Sequence, residues 1–480
     1  MVFSGSIFIM IFLPAVFGLY SLCRGKNMRN ILLTAASLLF YSFGEPFVVF
    51  IMVLSVLVNY VTGLAMDKTD ENRRKILMIL SVIWNIGLLG VYKYAGFFAE
   101  MINLLPFADI PVPEIHLPIG ISFFTFQSMS YIIDLYRKKI NVQKSFLKLL
   151  LYISFFPQLI AGPIVRYGDI ESALDERSSD AVSTAEGIKL FIFGLSKKLL
   201  IADTLAVVSD FVFSLPHDKL SCAASWAGAV CYTLQIYFDF GGYSDMAVGL
   251  GKIFGFTFRG NFNYPYYSAS MTEFWRRWHI SLSEWFKEYL YIPLGGNRKG
   301  RTRTILNKWI VFLCTGLWHG ANLTFLLWGV ANGIFIMTES IFSSRLKKAS
   351  EHRAVRALGH IYTIAAVTLC FAVFRSENIA QVKYFIPTMF GFTDLTASQA
   401  KISFSLLCEN FTPLFFTVFI TAVCFSLPVI PMIHKKISSC GDSAAKAECV
   451  VSYVISAGLF LLCLMSIAAG TYSPFIYFNF

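Results

Sequence analysis

The sequence is poor in charge. Asp, Glu, Lys and Arg make up only 14% of its 480 residues, against about 25% in an average soluble domain. Hydrophobic residues make up 56%, and 48 residues are phenylalanine. So few charged side chains cannot cover a globule that faces water on all sides. The composition therefore excludes an ordinary soluble enzyme and predicts a polytopic membrane protein.

Motifs of several common chemistries are also absent. The ten cysteines form no C-x-x-C pair, so neither a zinc site nor a disulfide framework is indicated. The chain has no G-x-x-x-x-G-K-[ST], G-x-S-x-G or H-E-x-x-H run, so ATP-driven transport, serine hydrolysis and zinc proteolysis lose support. We expect no metal and no bound cofactor. The net charge of +11 does not indicate nucleic acid, because the basic residues gather in short loops between apolar segments.

Apolar segments recur along the whole chain. The candidate spans are 6–22, 31–44, 47–66, 76–97, 119–136, 199–214, 226–250, 309–322, 324–341, 361–375, 411–430 and 450–470. The stretch 148–165 contains Pro157, Gly162 and Pro163. It predicts a broken or re-entrant helix, which lipid tolerates only under a cover of protein. Because a span needs roughly 20 apolar residues, we expect an all-α polytopic membrane protein with about 11–12 transmembrane or re-entrant helices.

The basic residues predict an orientation. They follow the first, third and fifth spans, whereas the gaps between these have few, and basic loops face the cytoplasm. This alternation places both termini outside and the 251–308 loop, with ten Lys or Arg, inside. We expect one membrane domain over 1–480, with N-terminal helices over 1–140, a catalytic core over about 150–340 and C-terminal helices over 360–480.

His319 is the first candidate for chemistry, because it lies in the apolar run 317–322. An ionisable side chain in a membrane segment is costly and marks a functional site. Imidazole is also suited to proton transfer near neutral pH. Trp318 offers a flat wall with one N–H donor, and Gly320 permits close approach of a substrate or of backbone. The alternative is a core histidine bonded to a backbone carbonyl.

A second histidine, His279, lies in the stretch 272–290, whose apolar and polar faces predict one amphipathic helix in the membrane interface. Arg276 and Arg277 could hold a phosphate of a donor such as coenzyme A. Alternatively, both arginines contact lipid phosphate and His279 has no chemical role. The following run 291–298 predicts a glycine turn.

Two further polar positions lie near apolar segments. Asp239 and Asp245 flank Gly241-Gly242, and the glycine pair favours a break in the helix. A carboxylate pair of the kind that hydrolyses glycosides is one interpretation. Structural hydrogen bonding to neighbouring helices is the one we favour. Gln158 is a similar polar position in the broken segment 148–165.

Three runs, 263–266 (NYPY), 274–283 (FWRRWHISLS) and 291–297 (YIPLGGN), resemble the membrane-bound O-acyltransferase family. The run Trp318-His319-Gly320 fits the essential histidine of that family. The runs 237–247, 158–164 and 473–478 resemble its bacterial alginate O-acetyltransferase branch. Gly241 is a mild departure, since this branch often has Ser there. A related branch that transfers D-alanine to teichoic acid is usually shorter.

The resemblance implies a ring of helices around a thinner centre, with His319 in a tunnel and His279 reached from the cytoplasmic side. It implies transfer of an acyl group, in this branch acetyl, from a thioester to hydroxyls of an extracytoplasmic polysaccharide. The donor would be acetyl-coenzyme A or an acyl-carrier thioester. The setting would be a bacterial plasma membrane, with a polysaccharide synthase and a secreted SGNH-type acetylase as partners. The candidate catalytic residues are His319 and His279, and the candidates for substrate or donor binding are Trp318, Trp278, Arg276, Arg277, Asp239 and Gln158.

Three other functions stay open at this point. One is D-alanyl transfer to teichoic acid. Another is a polysaccharide or lipid transporter, which would favour inverted repeats with paired broken helices, whereas the chain has only one broken segment. The third is a scaffold for a secreted acetylase, in which His319 is idle.

Overall fold

The computed structural model describes residues 1–105, 107–177, 180–392, 395–470 and 475–476, and these ranges contain helices and no strand. The helices are α1 Leu13–Leu22, α2 Lys26–Ser42, α3 Val48–Asp67, α4 Glu71–Leu89, α5 Ala95–Asn103, α6 Ile121–Tyr136, α7 Phe146–Ser154, α8 Phe156–Leu159, α9 Tyr167–Asp175, α10 Ala181–Ser196, α11 Asp203–Phe213, α12 Cys222–Ile253, α13 Met271–Arg277, α14 Ile280–Phe286, α15 Gly300–His319, α16 Leu323–Ile341, α17 Ser343–Ala349, α18 Arg353–Arg375, α19 Ile379–Met389, α20 Ala397–Cys408, α21 Pro413–Ser426, α22 Val429–Ser438 and α23 Asp442–Ala468. Single π-helical turns precede α1, follow α4, precede α11 and follow α14.

The predicted fold class, an all-α polytopic membrane protein, is confirmed. Among the described residues, five helical stretches are long and apolar enough to cross a membrane. They are Val48–Asp67, Glu71–Asn103, Leu323–Ile341, Arg353–Arg375 and Asp442–Ala468. The pair α20 and α21, bent by 85°, makes a sixth if it counts as one span. The other predicted spans are also largely helical, but their helices are shorter or, as in α12, interrupted by polar residues such as Gln235 and Asp239.

The chain forms two compact units. The first contains Met1–Phe191 and Tyr243–Gly260, and the second contains Ile192–Gly242 and Asn261–Phe480. Helix α12 contributes to both, because the division falls between Gly242 and Tyr243. The sidedness of the termini and loops stays a prediction.

In the first unit, the predicted break in 148–165 is confirmed. Helix α7 ends at Ser154, Phe155 has extended backbone (ψ 111°), and α8 is a single turn from Phe156 to Leu159. Gln158 is fully buried in this turn, and its amide donates to the Tyr152 carbonyl 2.5 Å away. The irregular backbone is covered by protein, as a non-helical segment at membrane depth requires.

In the second unit, the predicted break at Gly241-Gly242 is wrong, because α12 continues through both glycines to Ile253. Gly242 instead lies against the backbone of α10. A Cβ at Gly242 would come within 2.6 Å of the Gly194 carbonyl oxygen. The glycine therefore permits close packing of two helices and does not end one.

Candidate active site

The segment that carries His279 is two short helices and not one continuous amphipathic helix, so that prediction is wrong. Helix α13 ends at Arg277, Trp278 is extended, and α14 begins at Ile280. His279 between them has left-handed backbone (φ 43°). This conformation costs a non-glycine residue about 1–2 kcal/mol. Such strain persists only where neighbouring structure fixes it, often at a functional site.

Asn261 fixes this strained turn from earlier in the chain. Its carbonyl accepts from the Ile280 N–H (3.0 Å), and its side-chain oxygen accepts from the Ser281 N–H (3.0 Å). The two bonds satisfy amides at the start of α14, which have no partner inside their own helix. The backbone of His279 is thereby held between Trp278 and a capped helix start.

His279 lies inside the protein, with 0% of its surface exposed. This replaces the predicted position on a helix in the membrane interface. Its ring meets Phe240 edge to face at 4.7 Å between centroids and Trp318 at 5.9 Å. Burial lowers the pKa of His279 from its ordinary value of 6.5 to about 3. The imidazole is therefore neutral at physiological pH, with one N–H donor and one acceptor nitrogen.

His319 is the last residue of α15 and is 4% exposed. Its ring centroid lies 4.9 Å from Trp328 and 5.1 Å from Phe374, both edge to face. Helix α15 ends here because Gly320 turns the chain into extended backbone. A Cβ at Gly320 would come within 2.3 Å of the Phe325 ring. The space beside Gly320 is thus taken by a protein side chain, and close approach of a substrate or of backbone at this glycine stays a prediction.

Trp318 brings the two histidines into one cluster. Its indole centroid lies 4.9 Å from the His319 ring and 5.9 Å from the His279 ring. The cluster joins the end of α15 to the turn between α13 and α14. Two imidazoles in an aromatic enclosure can accept a proton from a hydroxyl or thiol and donate to a developing oxyanion. Their low-dielectric surroundings strengthen both interactions.

Trp278 packs into a neighbouring aromatic group. It stacks on Phe274 (5.5 Å, 18°) and meets Phe262 at 5.0 Å and Phe371 at 5.2 Å. Phe371 is one turn before Phe374 on α18, so this group adjoins the His319 enclosure. Trp278 thus packs in the group next to the enclosure, and its role in substrate binding stays a prediction.

Arg276 and Arg277 have different surroundings. Arg276 is exposed, and among the described residues no carboxylate forms an ion pair with it. The Arg277 guanidinium pairs with Glu273 (Nη2–Oε1 2.9 Å) and donates to the Asn263 carbonyl (3.1 Å). Of these two arginines, Arg276 is the one without a carboxylate partner among the described residues, so the two are not equivalent candidates for donor binding.

Asp239 is 1% exposed and is occupied by protein partners. Its Oδ1 lies 2.9 Å from the Lys198 ammonium, and its Oδ2 accepts from the Ile476 N–H (2.9 Å). Lys198 also pairs with Asp203 at 2.6 Å. These contacts agree with the structural role favoured from the sequence. We call Lys198, Asp203 and Asp239 the ionic cluster.

Sequence reasoning missed two residues that shape this site, Lys198 and Asn261. Lys198 looked like the flank of a predicted span at 199–214. Its signal was the presence of buried carboxylates at 203 and 239, since an intramembrane charge needs an opposite one. Asn261 carried no local signal, because its two bonds reach residues about 20 positions later.

The remaining predictions concern turns, metals and the C-terminus. The run 291–298 is a turn, as predicted, with positive φ at Gly295 and Gly296. No group of three His, Cys, Asp or Glu side chains placed to hold a metal occurs in the described part of the chain. All ten cysteines are free thiols. In the motif 473–478, Phe475 is buried beside Phe240, and residues 473, 474, 477 and 478 lie outside the described residues.

The chain is similar to known proteins over the region that contains the two histidines. The model of the membrane-bound O-acyltransferase family matches residues 136–376, which include both histidines. The chain is 36% identical, over the full length of both, to the probable alginate O-acetylase AlgI of Pseudomonas putida. It is 40% identical to the protein of the same name from Pseudomonas aeruginosa, over 82% of this chain and 75% of that one. It is 33% identical to the peptidoglycan O-acetyltransferase of Helicobacter pylori, over 100% and 98%.

A more distant relative bears on the alternative function. The teichoic acid D-alanyltransferase of Bacillus subtilis is 26% identical over 70% of this chain and 92% of its own. Similarity to the relatives from Pseudomonas putida and Helicobacter pylori thus extends over the whole chain, whereas similarity to the D-alanyltransferase covers 70% of it.

Proposed function

Because the chain belongs to the membrane-bound O-acyltransferase family, we propose that it passes an acetyl group from a cytoplasmic thioester toward hydroxyls of an extracytoplasmic polysaccharide. Its full-length similarity to O-acetylating relatives supports acetyl over D-alanyl as the group that is transferred. The setting that fits these relatives is a bacterial plasma membrane. Family membership also favours an enzyme over a transporter or an idle scaffold.

The observation that carries the proposal is the His279–Trp318–His319 cluster. Both imidazoles are buried, and one indole contacts both of them. An acyl transferase needs a base for the incoming hydroxyl or thiol and a donor for the oxyanion. The cluster places two groups able to fill these roles beside one flat wall.

In the proposed reaction, His319 removes the proton of the attacking hydroxyl or thiol as its oxygen or sulfur bonds to the thioester carbonyl carbon. A neutral His279 donates its N–H to the oxyanion. When the carbon–sulfur bond breaks, the leaving thiolate takes the proton from the His319 imidazolium. The enzyme returns to its starting protonation state, and no external acid, base or redox partner is consumed.

The donor binds on the cytoplasmic side in this proposal. Exposed Arg276 would meet a phosphate of acetyl-coenzyme A or of an acyl-carrier thioester, while Arg277 supports α13 through Glu273. A polysaccharide synthase would supply the acceptor, and a secreted SGNH-type acetylase would complete the transfer outside. In this proposal Gln158, Asp239 and Trp278 do not take part in the chemical step, and each stabilises the local structure through its own contacts.

The test is a His319→Ala variant, measured by the ester content of the exported polysaccharide in cells making equal amounts of each protein. General acid–base catalysis is worth roughly 10²–10⁴ in rate, so we expect acetylation to fall to background with normal membrane insertion. His352→Ala is the matched control, because His352 is exposed and lies in the loop before α18. Full acetylation by His319→Ala would overturn the proposal.

A further inference from the structure

Glu339 is a buried carboxylate that the proposed reaction does not use. It lies near the end of α16, one of the helices able to cross a membrane, and is 8% exposed. A buried charge in such a helix is costly unless it is paired or hydrogen-bonded, and its presence calls for a functional explanation.

Glu339 also bonds to Tyr362 of α18, and three hydrogen bonds join it to the first residues of α13. Oε1 accepts from the Met271 N–H (2.6 Å), and Oε2 accepts from the Thr272 N–H (2.8 Å) and the Thr272 hydroxyl (2.6 Å). Amides at a helix start have no partner in their own helix. Both oxygens of Glu339 therefore accept hydrogen bonds from the start of the short helix that leads to Trp278 and His279.

The same face of α16 bonds to α13 at a second position and contacts the His279–Trp318–His319 cluster at a third. Asn332 is seven residues, or two turns, before Glu339, and its side-chain oxygen accepts from the Trp275 indole N–H (3.2 Å). Trp328 is one turn before Asn332 and packs on His319. One face of α16 thus contacts His319 and bonds to α13 both at its first residues and at Trp275.

We propose that Glu339 is a positioning residue for acyl transfer. By holding α13 against α16, it sets where Arg276 and the strained His279 turn lie relative to His319. The proposal rests on the proposed function, because it assigns Glu339 a part in placing the residues of that reaction. A carboxylate suits this task because it accepts from three donors at once in a fixed geometry.

The test begins with Glu339→Gln, which keeps the shape but loses the charge and one acceptor oxygen. We measure the rate at which labelled acetyl enters the exported polysaccharide, divided by the amount of folded protein from fluorescence-detected size exclusion. Hydrogen bonds to charged groups are stronger than bonds between neutral groups, so we expect a loss of about tenfold or more per folded molecule. Thr338→Val is the control, because Thr338 is exposed and bonds only within α16.

Thr272 separates positioning from a general loss of folding. Thr272→Ser retains the hydroxyl and should keep activity within about twofold, whereas Thr272→Val should lose severalfold. Combined with Glu339→Gln, Thr272→Val should add little, since residues in one hydrogen-bond network are not additive. If Glu339→Gln yields too little folded protein, the positioning role is tested by comparing the activities of Thr272→Ser and Thr272→Val alone.

Three outcomes would overturn the inference. Full activity per folded molecule in Glu339→Gln would remove the positioning role, as would equal losses in Thr272→Ser and Thr272→Val. Both results leave the proposed function intact if His319→Ala is inactive in the same cells. Full activity in His319→Ala would instead remove the proposed function and this inference together.

Discussion

Two buried polar clusters, one in each unit, use different chemistry. In the first unit, α3 and α4 are joined by neutral groups: the Asn59 side-chain oxygen accepts from Ser81 (2.7 Å) and Asn85 (2.9 Å). In the second unit, the ionic cluster buries one ammonium and two carboxylates. Neutral bonds between membrane helices contribute little each, about 0.6 kcal/mol on average. A charge that stays buried after losing its partner is costly, so the second unit depends far more on its polar partners.

Lys198→Met should have the largest effect on stability. It would leave the Asp203 and Asp239 carboxylates buried without their shared cation, and breaking a buried pair costs about 3–5 kcal/mol. Asp239→Asn should cost less, because Lys198 keeps Asp203. The measurement is the amount of monodisperse protein that survives heating in detergent, with the exposed Lys219→Met as control. Equal survival of Lys198→Met and Lys219→Met would show that the ionic cluster does not support the fold.

His279 should make the second unit sensitive to acid. Because its pKa falls to about 3 in the folded protein, from an ordinary 6.5, the folded state binds fewer protons than the unfolded state between these values. The free energy of unfolding is therefore at its full value above about pH 6.5, and it decreases as the pH falls toward 3. At pH 5 the loss should be about 2 kcal/mol.

The matched variant is His279→Asn, because asparagine tolerates left-handed backbone and does not titrate. The drop in thermal midpoint between pH 7 and pH 5, measured in detergent, should be smaller in His279→Asn than in the natural protein. Identical drops would mean that His279 is not the group that senses acid. His279→Leu, which tolerates left-handed backbone poorly, should be less stable than His279→Asn at both values.

Asn59→Leu tests the neutral cluster and should have the smallest effect. It removes the acceptor shared by Ser81 and Asn85, and the loss of two bonds at about 0.6 kcal/mol each gives an expected cost of roughly 1 kcal/mol. Thr62→Val is the control on the same helix, since Thr62 bonds only to Val58 within α3. A loss as large as that of Lys198→Met would erase the difference between the two clusters.

The sequence was sufficient for features that depend on neighbours along the chain. The helical class, the break at Pro157 and the turn at 291–298 all follow from short runs of residues. These signals are local: proline and glycine limit the backbone within a few positions, and apolar length decides whether a helix can enter a bilayer.

Features set by distant residues were not predictable. The amphipathic pattern of 272–290 continues through Trp278 and His279, so it gives no sign of the break that Asn261 fixes. Gly241-Gly242 looked like a helix end because the close approach of Gly194 is invisible in sequence. For Asp239, the sequence indicated a polar partner but could not tell that it was Lys198. Each error arose where tertiary packing overrode a correct local preference.

Trp318 gives this protein an optical reporter of its own site. It is one of eight tryptophans, and its indole contacts the rings of both His279 and His319. A protonated imidazole quenches indole fluorescence more strongly than a neutral one. In a variant with Trp84, Trp226, Trp285 and Trp309 replaced by phenylalanine, the tryptophans that pack in the site are kept, and the arrival of a proton on His319 would dim the part of the emission that comes from Trp318. Stopped-flow fluorescence could then time proton movement within single turnovers, without any attached dye.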